Sequence, residues 1–197
     1  MIARMFRLVL AFASVAAVAA CASNPPVQKL PPISFANEMP INLDVGQLEI
    51  VSEYKSPGRL PNFEQLMPVS PEAAAITWAK QRLHPMGRTG YARVVIKNAA
   101  VIQTPLKTDK GFTGLFKEEQ AQRYDASLEI DVQILDERHL PLADVTARAT
   151  RSRTTAEGIT LDERDRELYE MSEDLIKDID GQMNGLIHSY LGRWVMQ

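Results

Sequence analysis

Between Tyr124 and Ile134 apolar and polar side chains alternate without a break. Tyr124, Ala126, Leu128, Ile130, Val132 and Ile134 fall on one side, and Asp125, Ser127, Glu129, Asp131 and Gln133 on the other. Successive side chains of a strand point to opposite faces, so this stretch predicts a strand with one buried face and one wet face. A slip of one residue would turn every apolar side chain to water, which pins the register.

A second strand is expected at Ala143 to Arg153, where the inward set is Ala143, Val145, Ala147 and Ala149. Small residues there let a helix approach the sheet closely. If Asp136 and Pro141 flank a tight loop, paired positions sum to about 277 and the two strands form an antiparallel hairpin. Leu128 then faces Ala149 on the buried side and Glu129 faces Arg148 on the wet side.

Two helices are expected. Ser70-Pro71-Glu72 supplies a hydroxyl cap, a first-turn proline and an acid, opening a helix that runs to about Leu83. Ile76, Ala79 and Leu83 share a face in it, and Trp78 lies well off that face, either packed under a loop or exposed at a contact surface. Thr160-Leu161-Asp162-Glu163 fits a capping box. Leu168, Met171, Leu175, Ile179, Met183, Leu186, Tyr190 and Trp194 follow at spacings of three or four, predicting a long amphipathic helix.

Two further strands are expected, at Gln47–Tyr54 and Tyr91–Thr104, with Asn98 breaking the second. The order β-α-β-β-β-α predicts an α+β two-layer sandwich: a mainly antiparallel four-stranded sheet with two helices on one face.

The N-terminus differs in kind. Arg4 and Arg7 precede an almost uninterrupted apolar run, Leu8 to Ala20, too short to span a bilayer comfortably and laid out like a secretory signal peptide. It ends Val18-Ala19-Ala20-Cys21, and Cys21 is the one cysteine in the chain. That ending resembles the bacterial lipobox. The resemblance implies cleavage before Cys21, a diacylglycerol thioether on its sulfur and acylation of the new N-terminus. Two or more acyl chains make such anchoring stable. Ala22 rather than Asp follows the cysteine, which by resemblance to the enterobacterial sorting rule implies the periplasmic face of the outer membrane.

The expected organisation is therefore residues 1–20 as signal, 21–43 as a lipidated cysteine with a Pro-rich tether, and 44–197 as a single α+β domain. Twenty extended tether residues would reach roughly 60 Å at about 3.1 Å each. Cleavage removes Arg4 and Arg7 from the 22 basic side chains and none of the 25 acids, leaving a net charge of −5. With a sequence pI near 5.7, the chain lacks the basic balance that phosphate binding requires, so no nucleic-acid partner is expected.

Little in the chain points to a reaction. His84, His139 and His188 lack a second histidine or cysteine at ligand spacing, so no metal site is expected. There is no Gly-x-Ser-x-Gly elbow and no phosphate-binding Gly-x-x-x-x-Gly-Lys. No cofactor and no catalytic residue is expected. The acids Asp162, Glu163, Glu167, Glu170, Glu173, Asp174 and Asp178 read as a solvated helix face or as a site for a cation or basic partner.

From Arg123 to Trp194 the layout is a hairpin ending Arg151-Ser152-Arg153-Thr154, an acidic connection and a long C-terminal helix. This resembles the small envelope lipoproteins of Gram-negative bacteria, notably the lipopolysaccharide-assembly lipoprotein and the auxiliary lipoproteins of lipid-transporting ABC systems. Phe63-Glu64-Gln65-Leu66-Met67-Pro68-Val69-Ser70 resembles uncharacterised alphaproteobacterial lipoproteins. The resemblance implies a non-enzymatic, lipid-anchored accessory or scaffold protein of envelope biogenesis or lipid transport, with an envelope protein as partner. Two other readings stand beside it: a small periplasmic hydrolase, whose carboxylates would meet only through folding, and direct binding of lipid or glycolipid.

Two stretches are candidate partner surfaces. Gly111-Phe112-Thr113-Gly114-Leu115-Phe116 sets Phe112, Leu115 and Phe116 among Lys107, Lys110 and Lys117, an apolar tip with a basic rim. The bland alternative is that the triad folds back to cover the sheet. Gly181, Gly185, His188 and Gly192 form a nearly bare stripe along the last helix, read either as a fraying exposed face or as a place where another backbone packs closely.

Overall fold

The structure is a computed structural model and describes residues 30–107 and 120–196. In chain order the elements are β1 (Ile41–Leu43), β2 (Gln47–Ser52), α1 (Pro71–Arg82), β3 (Leu83–Pro85), β4 (Tyr91–Asn98), β5 (Val101–Pro105), β6 (Gln120–Leu135), β7 (Pro141–Ala156) and α2 (Leu161–Tyr190). Short 3-10 turns lie at Glu64–Leu66 and Gly192–Trp194.

The architecture is the expected α+β sandwich with both helices packed on the sheet. The main sheet has five strands rather than four. Asn98 accounts for the difference: the register against β6 shifts between Ile96 and Asn98, and Asn98 Oδ1 accepts from Ala100 N. The one strand expected over Tyr91–Thr104 is thereby split into β4 and β5. Both lie on the same side of β6, with β4 against its second half and β5 against its first. The sheet is mainly antiparallel, but the edge strand β2 runs parallel to β4. α1 crosses between those two strands and returns the chain to the same end, as a parallel pair requires.

The hairpin register is the expected one. Leu128 pairs with Ala149 and Glu129 with Arg148. Leu128, Ile130, Val132 and Ile134 are buried under the helices. α2 lies mainly on β7, where Val145, Ala147 and Ala149 give it room. The Thr160–Glu163 capping box forms in both directions. The α2 core stripe follows expectation through Met183, then continues at Ile187 and Leu191, while Tyr190 is exposed and Leu186 and Trp194 are only half-buried.

α1 is rotated from its expected face. Ala74, Ala75, Trp78, Ala79 and Arg82 are buried, whereas Ile76 is half-buried. The alanines bring α1 close to the sheet and Trp78 fills the angle against α2.

The tether expected to run to residue 43 ends earlier. Ile33, Phe35, Ile41 and Leu43 are core residues, and Ile41–Leu43 pairs in parallel with Leu83–Pro85 as a second, two-stranded sheet. Residues 33–43 thus form a strap bound across the helix layer. The Pro57–Pro68 loop also lies on the domain. Phe63 and Met67 are buried, with the Phe63 ring edge-on to Tyr124 at 5.0 Å, while Leu60 and Leu66 stay exposed.

Candidate interaction surfaces

The strap meets the two helices at a buried polar node. Trp78 Nε1 donates to Asp180 Oδ1 at 2.8 Å, and Arg82 Nε donates to the same oxygen at 2.6 Å. Arg82 also donates through Nη1 to the Met39 carbonyl. One carboxylate from α2 therefore satisfies an indole and a guanidinium from α1, and that guanidinium reaches on to the strap. Gln81 Oε1 adds a second tie, accepting from Phe35 N at 2.6 Å.

Beside this node a groove of about 580 Å³ opens between Met39–Asn42 of the strap and Asn184, His188 and Gly192 near the end of α2. Met39 and Met196 are exposed at its rim. His188 Nδ1 is 2.7 Å from the Asn184 carbonyl, an ordinary contact one turn back along the helix. Gly181 and Gly185 are exposed, and a Cβ built on either meets nothing within 4 Å. Among the described residues nothing packs on the glycine stripe.

The acids of α2 have a specific use that the sequence did not assign. Asp178 pairs with Arg151, Asp174 Oδ2 with Arg153 Nη2 at 2.8 Å, and Lys177 with Glu173 along the helix at 3.2 Å. Arg151 and Arg153 sit opposite Ala126 and Tyr124, so they are on the helix-facing side of β7. Two acids of this face, Asp174 and Asp178, are thus partners of their own sheet. The signal was present in Arg151-Ser152-Arg153, whose spacing of two puts both cations on one face of a strand.

The open face of the sheet is a field of cross-strand charge pairs. Glu49 accepts from Arg93 at 2.8 Å, Glu53 from Lys97 at 2.9 Å and Glu129 from Arg148 at 2.8 Å. The Arg93 guanidinium holds the Glu49 carboxyl below its ordinary value. His139 stands in the β6–β7 turn at φ 61°, stacked on Tyr91 with ring centroids 4.0 Å apart and with Nε2 3.2 Å from Glu49. A left-handed residue that is not glycine is unusual in a turn, and the stacking supplies a reason for a ring there.

Glu64 is the most deeply placed carboxylate of the loop before α1. Tyr54 Oη donates to its Oε1 at 2.7 Å and Val101 N to its Oε2 at 3.3 Å. Burial alone would raise this carboxyl, but hydrogen bonds from Ser56, Tyr54 and backbone N–H groups outweigh it and hold the carboxyl below its ordinary value. Tyr54 is pushed up, first by burial and then by the carboxylate beside it. The pair clamps the loop to β5. A nearby shallow cleft of about 350 Å³ contains Glu64 and Glu72 with Ser56 and Ser70.

Among the described residues no group of three or more His, Cys, Asp or Glu side chains is placed to hold a metal ion. Within the same residues no helix is long and apolar enough to cross a membrane. Cys21, Phe112, Leu115 and Phe116 lie outside the described residues.

No family model matches the chain, and no curated protein matches it. Among solved structures the chain is similar to a minor lipoprotein from Acinetobacter baumannii, with 13% identity, a TM-score of 0.42, and coverage of 79% of this chain and 98% of that one.

Proposed function

We propose that this protein is a lipid-anchored, non-enzymatic accessory subunit of the bacterial envelope, held by Cys21 at the periplasmic face of the outer membrane and presenting its sandwich domain to an envelope protein. The observation that carries the reading is the apolar signal ending Val18-Ala19-Ala20-Cys21. The domain suits such a role: Arg82, Asp180, Glu64 and the arginines of β7 are engaged in contacts that fix one element to another. Docking of the strap shortens the expected tether. Residues 22–32 would span at most about 34 Å when extended at ~3.1 Å each.

Mass spectrometry of the mature N-terminus tests the anchor. The expected product begins at a diacylglycerol-modified, acylated Cys21, and Cys21→Ser leaves the protein in the soluble fraction. An unmodified Cys21 in a membrane-bound protein overturns the proposal. A hydrolase reading rests on the cleft that holds Glu64 and Glu72. Turnover of an ester or glycoside substrate that disappears in Glu72→Gln would favour it.

A further inference from the structure

β7 presents a long open edge. It hydrogen-bonds to β6 along one side, and among the described residues no strand or bridge lies along the other. Exposed edges are usually blunted by shortness, an internal proline, a bulge, charged side chains or a covering helix. β7 is sixteen residues long, carries proline only as its first residue, and keeps an unbroken register with β6 from Ala143 to Thr155.

The outward-facing groups can be identified. Ser127 N donates to Ala100 on the far side of β6, so the Ser127–Thr150 pair is not hydrogen-bonded and Thr150 turns its backbone outward. The Thr150 and Arg148 carbonyls accept instead from side chains, Arg151 Nη1 at 3.2 Å and Gln182 Nε2 at 3.0 Å. Even-numbered residues therefore turn their N–H and C=O groups to the edge, where Gln182 must share the Arg148 carbonyl with an incoming strand, and Asp144, Thr146, Arg148 and Thr150 carry exposed side chains on the open face.

We propose that a second copy of this chain pairs antiparallel along this edge, β7 on β7, about a twofold axis at Thr146. In that register Asp144 of each copy lies opposite Arg148 of the other, and Thr146 lies opposite itself. The Asp144 carboxylate has no partner among the described residues. Arg148 already meets Glu129, and a guanidinium has donors enough for both acids. An axis at Asp144 or at Arg148 would oppose like charges directly, which destabilises a strand pair. Of the twofold registers centred from Asp144 to Thr150, that at Thr146 alone sets Asp144 against Arg148.

The same register overlaps residues 141–151 of both copies and lays the exposed Leu142 against Thr150. On the helix side it opposes Ala143 to Ala149 and Val145 to Ala147. The pairing is isologous and closes as a dimer, whereas β7 on the opposite edge strand β2 would leave free edges and grow into a filament.

Thr146→Cys in the full chain, in detergent micelles, tests the axis. Residues directly opposite in a hydrogen-bonded antiparallel pair have Cα atoms about 5.5 Å apart, within disulfide range. Mild oxidation is expected to give a covalent dimer for Thr146→Cys and none for Thr150→Cys, which lies about 27 Å from its own copy at ~3.4 Å per residue. The parent chain, whose one cysteine is Cys21, is oxidised alongside so that any crosslink through an unlipidated Cys21 is told apart. Adding Asp144→Arg, which sets arginine against arginine, is expected to abolish the Thr146→Cys dimer while the chain keeps its folded circular dichroism spectrum. A folded Thr146→Cys chain that stays monomeric overturns the proposal, as does equal crosslinking at Thr150→Cys or a dimer indifferent to Asp144→Arg.

Discussion

Asp180 receives Trp78 and Arg82 on one oxygen. Arg82 is buried, so removing its partner strands a cation away from water. Asp180→Ala is expected to cost about 3 kcal/mol of unfolding free energy, the low end for a broken buried pair. Asp180→Asn, which keeps an acceptor, should cost visibly less; urea melts of both variants check this. Glu64 makes a prediction in pH. Its carboxyl titrates below the ordinary value of 4.5 in the fold, so the unfolded chain binds the proton more readily. The stabilisation is present above about pH 4.5 and is lost as pH falls through the folded value. Glu49 and Asp125 shift in the same direction but are partly exposed, so their contributions are smaller. Thermal melts at pH 7 and pH 3.5 should show a larger acid-induced loss of Tm for the parent chain than for Glu64→Gln. An equal loss would mean that Glu64 is not the linked group.

Elements with a long period were legible in the sequence. The alternation of β6 fixed its buried face, pairing with β7 followed from loop length, and α2 announced itself by its cap and stripe. What escaped were pieces too short for any period to show. Ile41–Leu43 and Leu83–Pro85 are three residues each, and their pairing depends on where α1 delivers the chain. The face of α1 was misjudged because alanines carry little hydrophobic signal and because Trp78 finds a carboxylate more than a hundred residues away. The glycines of α2 remain a feature of the helix itself. Since a Cβ at Gly181 or Gly185 meets open space, Gly181→Ala and Gly185→Ala should each stabilise the domain by about 1 kcal/mol, the helix propensity difference. Gly185→Leu should fold equally well. If it loses an envelope partner in crosslinking while Gly185→Ala keeps it, the stripe is a contact surface.

For the whole molecule, the covalent address was easier to read than the surface. A signal segment is recognised as linear sequence, so Cys21 could be singled out without a fold. The β7 edge, the groove beside Gly192 and the Arg151–Asp178 contact exist only once distant segments meet. The docked strap also has a mechanical consequence. Tension applied at the N-terminus arrives first at Ile33 and Phe35, then at the Gln81 and Arg82 hydrogen bonds, and only afterwards at the short pairing of Ile41–Leu43 with Leu83–Pro85. A tugged domain would yield in small steps from its leash end, with the five-stranded sheet bearing no load until the strap has peeled away.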